Sequence, residues 1–134
     1  MENKALIDTN VFVALFNKSD ALHTQAKTCW EDLRTKKTQL YITDFIISEV
    51  LTVLRLKTSK EAALTFGDIV LNKTKTLHIL NIGKDDMRDA YKIFRDTKVK
   101  NFSFVDVTII ALARTNKLKI ISFDKQLQKT AKNT

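Results

Sequence analysis

Four carboxylates stand in neighbourhoods where a carboxylate can do chemistry. Asp8 ends the apolar run Ala5-Leu6-Ile7, and Glu49 sits within Phe45-Ile46-Ile47-Ser48-Glu49-Val50-Leu51. Asp106 follows Phe102-Ser103-Phe104-Val105, and Asp124 follows Ile120-Ile121-Ser122-Phe123. Each has an ordinary structural explanation. Asp8 and Asp124 are of a type that caps helices, Glu49 can reach water from the edge of a helix, and Asp106 can serve Ser103 as a third-position capping partner. Helical spacing nevertheless sets Glu49 beside Phe45, Val53 and Leu56, and Asp106 beside Phe102, Ile109 and Ile110. A lone charge facing the core is costly unless a partner or a metal compensates it.

Carboxylates brought together raise one another's pKa unless a cation joins them. With two His and one Cys in the whole chain, no nitrogen–sulfur set suits zinc. Oxygen ligands alone suit Mg²⁺ or Mn²⁺. A metal so held polarises a phosphodiester and lowers the pKa of bound water. The reaction this pattern points to is phosphodiester hydrolysis.

The elements that must position these acids can be read from periodicity, because proline is absent and glycine occurs twice, at Gly67 and Gly83. Residues 5–7, 40–42, 77–80 and 118–122 read as strands. Residues 9–16 form a short apolar helix, and Asp20 can cap a longer one from 21 to about 36. Thr43 or Asp44 can cap the helix that carries Glu49. Thr58 with Glu61 has capping-box spacing for a helix running toward residue 72, and Ser103 with Asp106 has it for another. Residues 84–96 form the helix bearing Met87, Tyr91 and Phe94, and a short basic helix closes the chain. Strands alternating with helices imply an α/β fold with right-handed crossovers and a mostly parallel sheet covered on both faces. Ligands bind outside the carboxyl ends of such strands, where Asp8 and Asp124 fall.

A chain of 134 residues fits a single domain over 1–134. Its 23 Lys and Arg against 15 Asp and Glu leave a net charge of +8, a field that attracts polyanions without naming one. Lone Cys29 allows no internal disulfide and is compatible with a reducing cytoplasm. Glu2, Lys4 and Asp8 argue against a leader segment, and no stretch approaches a membrane span, so a cytoplasmic location with no membrane partner is expected.

In these same stretches the chain resembles the PIN-domain nucleases, most closely the VapC-type toxins of prokaryotic toxin–antitoxin pairs. The matching segments are LIDTNVFVALF around Asp8, ITDFIISEVLTVL around Glu49, FSFVDVTIIALA around Asp106 and KIISFDKQL around Asp124. They occur in the family's order across nearly the whole chain. The resemblance implies a three-layer α/β/α fold with a four- or five-stranded, mostly parallel sheet. It makes Asp8, Glu49, Asp106 and Asp124 the catalytic, metal-binding set for Mg²⁺ or Mn²⁺, with Asn10 and Ser122 assisting. It further implies endonucleolytic cleavage of RNA leaving a 5′-phosphate, a homodimer, and a cognate antitoxin as partner. Two departures stand out. The family often has glycine where this chain has Asn116-Lys117, and an aromatic where it has Leu127.

His23 and His78 read as packing or structural residues, and Trp30, Tyr91 and Phe94 as core or interface. Lys36, Lys37, Lys125, Lys129 and Lys132 read as solvated, with phosphate contact as the other use. Rival functions are an RNA-processing PIN nuclease without an antitoxin, an inactive RNA- or partner-binding relative, a DNA nuclease and a phosphoacceptor receiver. The receiver fails on residues: Asp8 stands alone after the first strand, and Ile79-Leu80-Asn81-Ile82 offers no acceptor.

Overall fold

The computed structural model describes residues 3–73 and 76–132. Glu2, used above against a leader segment, lies outside them, as does the side chain of Lys132. The order is β1 (Lys4–Ile7), α1 (Thr9–Phe16), α2 (His23–Thr35), β2 (Gln39–Thr43), α3 (Asp44–Lys57) and α4 (Lys60–Asp68). One π-helical turn, Ile69–Lys73, extends α4. There follow β3 (Leu77–Leu80), α5 (Lys84–Asp96), α6 (Phe104–Asn116), β4 (Lys119–Ile121) and α7 (Lys125–Lys132).

The sheet has four strands in the order β3-β2-β1-β4, every pair parallel. The chain winds from β1 outward to β2 and β3, then returns across the sheet to place β4 on the other side of β1. Right-handed crossovers in opposite directions put their helices on opposite faces. Packing agrees: α1 touches α2 and α3, and α3 touches α4, whereas α5 touches α6 and α6 touches α7. The result is the expected three-layer α/β/α arrangement, with four strands. The reversal of winding falls between β1 and β4, which is where such sheets leave a crevice at the carboxyl ends of the strands.

Burial follows position in the sheet. Central β1 and the helix α6 bury nearly all of their apolar side chains, while edge strand β3 leaves His78 and Ile79 exposed. A ring cluster anchors the face covered by α1: Phe12 meets Trp30 at 6.0 Å and Phe66 at 5.5 Å, and Phe16 meets Phe66 at 5.3 Å. His23 packs as expected, its Nδ1 lying 2.7 Å from the Ala14 carbonyl oxygen. His78 lies against Tyr41, ring centres 4.9 Å apart. Tyr91 and Phe94 do not enter the core: they are 58% and 46% exposed on α5.

Several starts differ from the sequence reading. Asp20 does not cap α2. Its Oδ1 accepts from the Leu22 N–H at 2.8 Å and its carbonyl from the His23 N–H, making a tight turn that delays the helix to His23. Ser59, not Thr58, caps α4, accepting from the Ala62 N–H at 3.0 Å. Of the two caps the sequence offered for α3, Thr43 serves, its Oγ1 accepting from the Ile46 N–H at 3.0 Å. Asp44 instead accepts from the Ile82 N–H, tying the end of β3 to α3. Between α6 and β4, where glycine is common in the resembling family, Lys117 adopts the left-handed conformation with φ 56°. A residue with a Cβ pays for that conformation, which explains why glycine suits the position.

Candidate active site

Each of the four acids is delivered by a separate element. Asp8 is the residue after β1 and caps α1, its Oδ1 accepting from the Thr9 N–H at 2.7 Å. Glu49 projects from the second turn of α3. Asp106 occupies the third position of α6, and Asp124 precedes α7. All four line one open cavity of about 310 Å³ at the carboxyl ends of β1 and β4. The structure therefore gathers the whole set proposed from the sequence.

A hydroxyl-centred network fixes the floor of this cavity. Ser122 Oγ donates to Asp8 Oδ2 at 2.6 Å, accepts from Asn10 Nδ2 at 3.2 Å, and accepts from the Asp124 N–H at 2.9 Å. Asn10 Oδ1 accepts from the Phe123 N–H at 3.1 Å, and the Asp8 N–H donates to the Ile121 carbonyl at 2.9 Å. Asn10 and Ser122 thus stitch the end of β1 to the end of β4. They hold Asp8 from behind.

The capping explanations prove correct as well, and they do not compete with a second role. Asp106 Oδ2 accepts from the Ser103 N–H at 2.9 Å while Ser103 Oγ accepts from the Asp106 N–H at 3.1 Å, a full capping box. Asp124 Oδ1 accepts from the N–H groups of Gln126 and Leu127. In both residues one oxygen serves the helix, and the other has no protein partner among the described residues. The sequence placed Asp106 on a face entering the core. It is only half-buried and lines the cavity, because it lies in the first turn of α6, before the buried stretch from Val107 to Ala113 begins.

Asp8 carries the deepest burial of the four, 5% exposed. Burial pushes its carboxyl up to about 6, with the negative charges of Asp106 and Glu49 adding to the rise and the Ser122 and Thr9 hydrogen bonds opposing it. A buried carboxylate that feels two neighbouring carboxylates gains from a cation nearby. Among the described residues no three His, Cys, Asp or Glu side chains converge closely enough to grip one ion directly. Mg²⁺ does not require that, since it keeps several waters and takes one or two carboxylates. Thr9 Oγ1 is buried beside the cavity and has no hydrogen-bond partner among the described residues. The oxygen-only donor set fits a hydrated divalent ion.

Sequence reasoning missed Asp20, a fifth acid lining this cavity. The Asn17-to-Asp20 turn brings it back toward the strand ends, closed by the Asp20 N–H to the Asn17 carbonyl at 3.0 Å. The usable signal was the run Asn17-Lys18-Ser19-Asp20, whose residue types favour turns.

The family model for the PIN domain matches residues 5–133. The chain belongs to the PIN-domain family. A VapC ribonuclease from Archaeoglobus fulgidus is 27% identical over 124 residues, covering 91% of this chain and 78% of that protein. Among solved structures, this PIN domain superposes on Mycobacterium tuberculosis VapC20, a toxin that cleaves the sarcin–ricin loop, with a TM-score of 0.82 at 22% identity, covering 94% of both chains. It also superposes on a chain of FitAcB from Neisseria gonorrhoeae, TM-score 0.71 at 16% identity, covering 96% and 93%. VapBC2 from Rickettsia felis, solved on a promoter DNA fragment, gives 0.70 at 16%, covering 94% and 92%. At these identities the structural likenesses establish the shared fold. Among the described residues no helix is long and apolar enough to cross a membrane.

Proposed function

We propose that this chain, one PIN unit over 1–134, is a metal-dependent endoribonuclease and the toxin of a toxin–antitoxin pair. The observation that carries the reading is the convergence of Asp8, Glu49, Asp106 and Asp124 on one cavity at the β1–β4 switch point. The named VapC ribonuclease relative supports RNA as substrate, and the toxin–antitoxin context of the structural relatives supports an antitoxin partner. A homodimer and a cytoplasmic location complete the proposal.

Asp8, Asp106 and Asp124 would hold a first Mg²⁺ or Mn²⁺, in part through its bound waters, and Glu49 would help place a second ion or the attacking water. A bound divalent ion would supply charge stabilisation at the phosphoryl oxygens and a water of lowered pKa. The chain's own residues do the positioning. Ser122 and Asn10 keep Asp8 aimed from the strand floor, and the Ser103 box keeps the Asp106 carboxylate at the helix mouth. Glu49, with no hydrogen bond to other described residues, is the acid best able to take a proton from a water at the scissile phosphate. Asp8 must be ionised to hold a metal, so metal binding would compete with the proton that burial favours on its carboxyl.

The test is cleavage of a panel of structured RNAs and DNAs by wild type and Asp106→Asn in Mg²⁺, Mn²⁺ or EDTA. Metal-dependent RNA cutting that disappears in the variant is the expected result. A wild type that cuts nothing while Asp106→Asn binds RNA equally well would replace the catalytic role with a binding one.

A further inference from the structure

A nucleic-acid strand approaching the acid cavity meets five carboxylates, counting Asp20, and the repulsion must be offset along its path. The chain has a cleft suited to that task. About 580 Å³ of space opens between α2 and α7, lined by Gln25, Phe123, Lys125, Gln128 and Lys129. This cleft shares Leu22 with the acid cavity, and its wall includes Ser122, the residue bonded to Asp8.

Its chemistry is that of a polynucleotide track. Lys125 and Lys129 are four residues apart, so they lie on one face of α7. Both are exposed, and neither forms an ion pair among the described residues. Phe123 is half-buried against the core yet lines the cleft, offering a ring edge or face for base contact. The segment is held firmly: the Phe123 N–H is bound by Asn10, and Gln128 Nε2 donates to the Ser122 carbonyl at 2.8 Å. Other basic clefts lack this connection. The one containing Arg34, Lys37 and His78 lies at the amino ends of β2 and β3, the wrong end of the sheet. The groove on α5 interleaves Lys84, Arg88 and Lys92 with Asp85 and Asp89, and shares no residue with the acid cavity.

We infer that single-stranded RNA lies in the α2–α7 cleft, with Lys125 and Lys129 on backbone phosphates and Phe123 against a base, before its backbone crosses the acid cavity. This rests on the ribonuclease reading, and its test is kept separate from catalysis. Fluorescence anisotropy of a short labelled single-stranded RNA in EDTA, over a range of salt, measures binding without cutting. Lys125→Gln/Lys129→Gln is expected to reduce the slope of log affinity against log salt by about 1.4, since each single-strand phosphate contact contributes about 0.7. That slope loss corresponds to roughly 25-fold weaker binding for each tenfold of salt below the point where the two proteins bind alike. Phe123→Leu, which keeps the apolar bulk, should weaken binding without changing the slope.

Lys57→Gln/Lys60→Gln, which removes the same charge from the far end of α3 and the start of α4, should leave slope and affinity near wild type. Equal losses from both lysine pairs would reduce the effect to net charge and overturn the track. A wild-type slope in Lys125→Gln/Lys129→Gln would overturn it too. Failure of the catalytic reading shows differently: no metal-dependent cutting, with this binding pattern intact.

Discussion

Helices α5 and α6 pack on one another and begin in nearly the same way. Each carries an aspartate at its third position, and in each the aspartate Oδ2 accepts from the backbone N–H of the cap residue at 2.9 Å. At α6 the bond is returned, Ser103 Oγ accepting from the Asp106 N–H. At α5 the cap is Gly83, which has no side chain to return it. The larger difference is location. Asp106 opens onto the acid cavity with Asp8, Glu49 and Asp124, whereas Asp86 follows edge strand β3 and is absent from the cavity lining. A capping box only delivers a carboxylate to a helix mouth. Whether that carboxylate meets others depends on which strand precedes the helix and where the winding reverses.

The largest expected contrast is in activity. Asp106→Asn keeps the capping geometry and removes the charge, and should cost about two to three powers of ten in RNA cleavage, as loss of a metal ligand or of transition-state charge stabilisation does. Asp86→Asn should leave the rate within a factor of about two, well below the tenfold of a secondary positioning residue. Equal losses at the two positions in a cleavage-rate comparison would erase the distinction.

Next comes the pH dependence of stability, measured by denaturant unfolding of metal-free protein. Asp8 is raised from 3.8 to about 6, so between those values the folded state holds a proton that the unfolded state has released. Stability should therefore fall as pH rises through that window, by on the order of 3 kcal/mol, and level off above it. Asp8→Asn should abolish this decline. Asp106→Asn should lower the upper edge of the window slightly, because its charge is a lesser cause than burial, and Asp86→Asn should not move it.

Smaller effects separate the caps themselves. Ser103→Ala should cost about 1 kcal/mol of unfolding free energy. Gly83→Ser should gain a few tenths of a kcal/mol, about 0.3, by completing the second box. Room exists for it: Gly83 has an extended backbone, and an added Cβ would sit 3.7 Å from Asp86 Oδ2, an ordinary contact. Denaturation midpoints with unchanged slopes would measure both.

Much of this was legible before folding. Short apolar runs ending in carboxylates marked β1 and β4, and the Ser103–Asp106 spacing marked the mouth of α6. All four acids came from such local patterns. What stayed hidden depended on the chain turning back on itself. Asp20 looked like a cap because Asp suits caps, but the turn from Asn17 spends its carboxylate on Leu22 and brings it to the acid cavity. Asp106 looked core-facing because periodicity records the neighbours along a helix and not where along it burial begins. Tyr91 and Phe94 fit an apolar stripe, yet α6 covers only part of that side of α5; Phe94 reaches Phe104 at 5.6 Å and Tyr91 stays in the open.

The strand order β3-β2-β1-β4 also sets a sequence of events. β1 is made first and finds β2 beside it early, but its other edge waits for β4, paired through Leu6 with Ile120 and Ile7 with Ile121. A nascent chain complete through α5 has Asp8 and Glu49 and still lacks Asp106, Ser122 and Asp124. Synthesis proceeds from the amino end, and β1–β4 pairing joins residues more than a hundred positions apart, so the cavity cannot close until β4 and Asp124 have been made. Until β4 pairs with β1, the four acids have no common cavity to line.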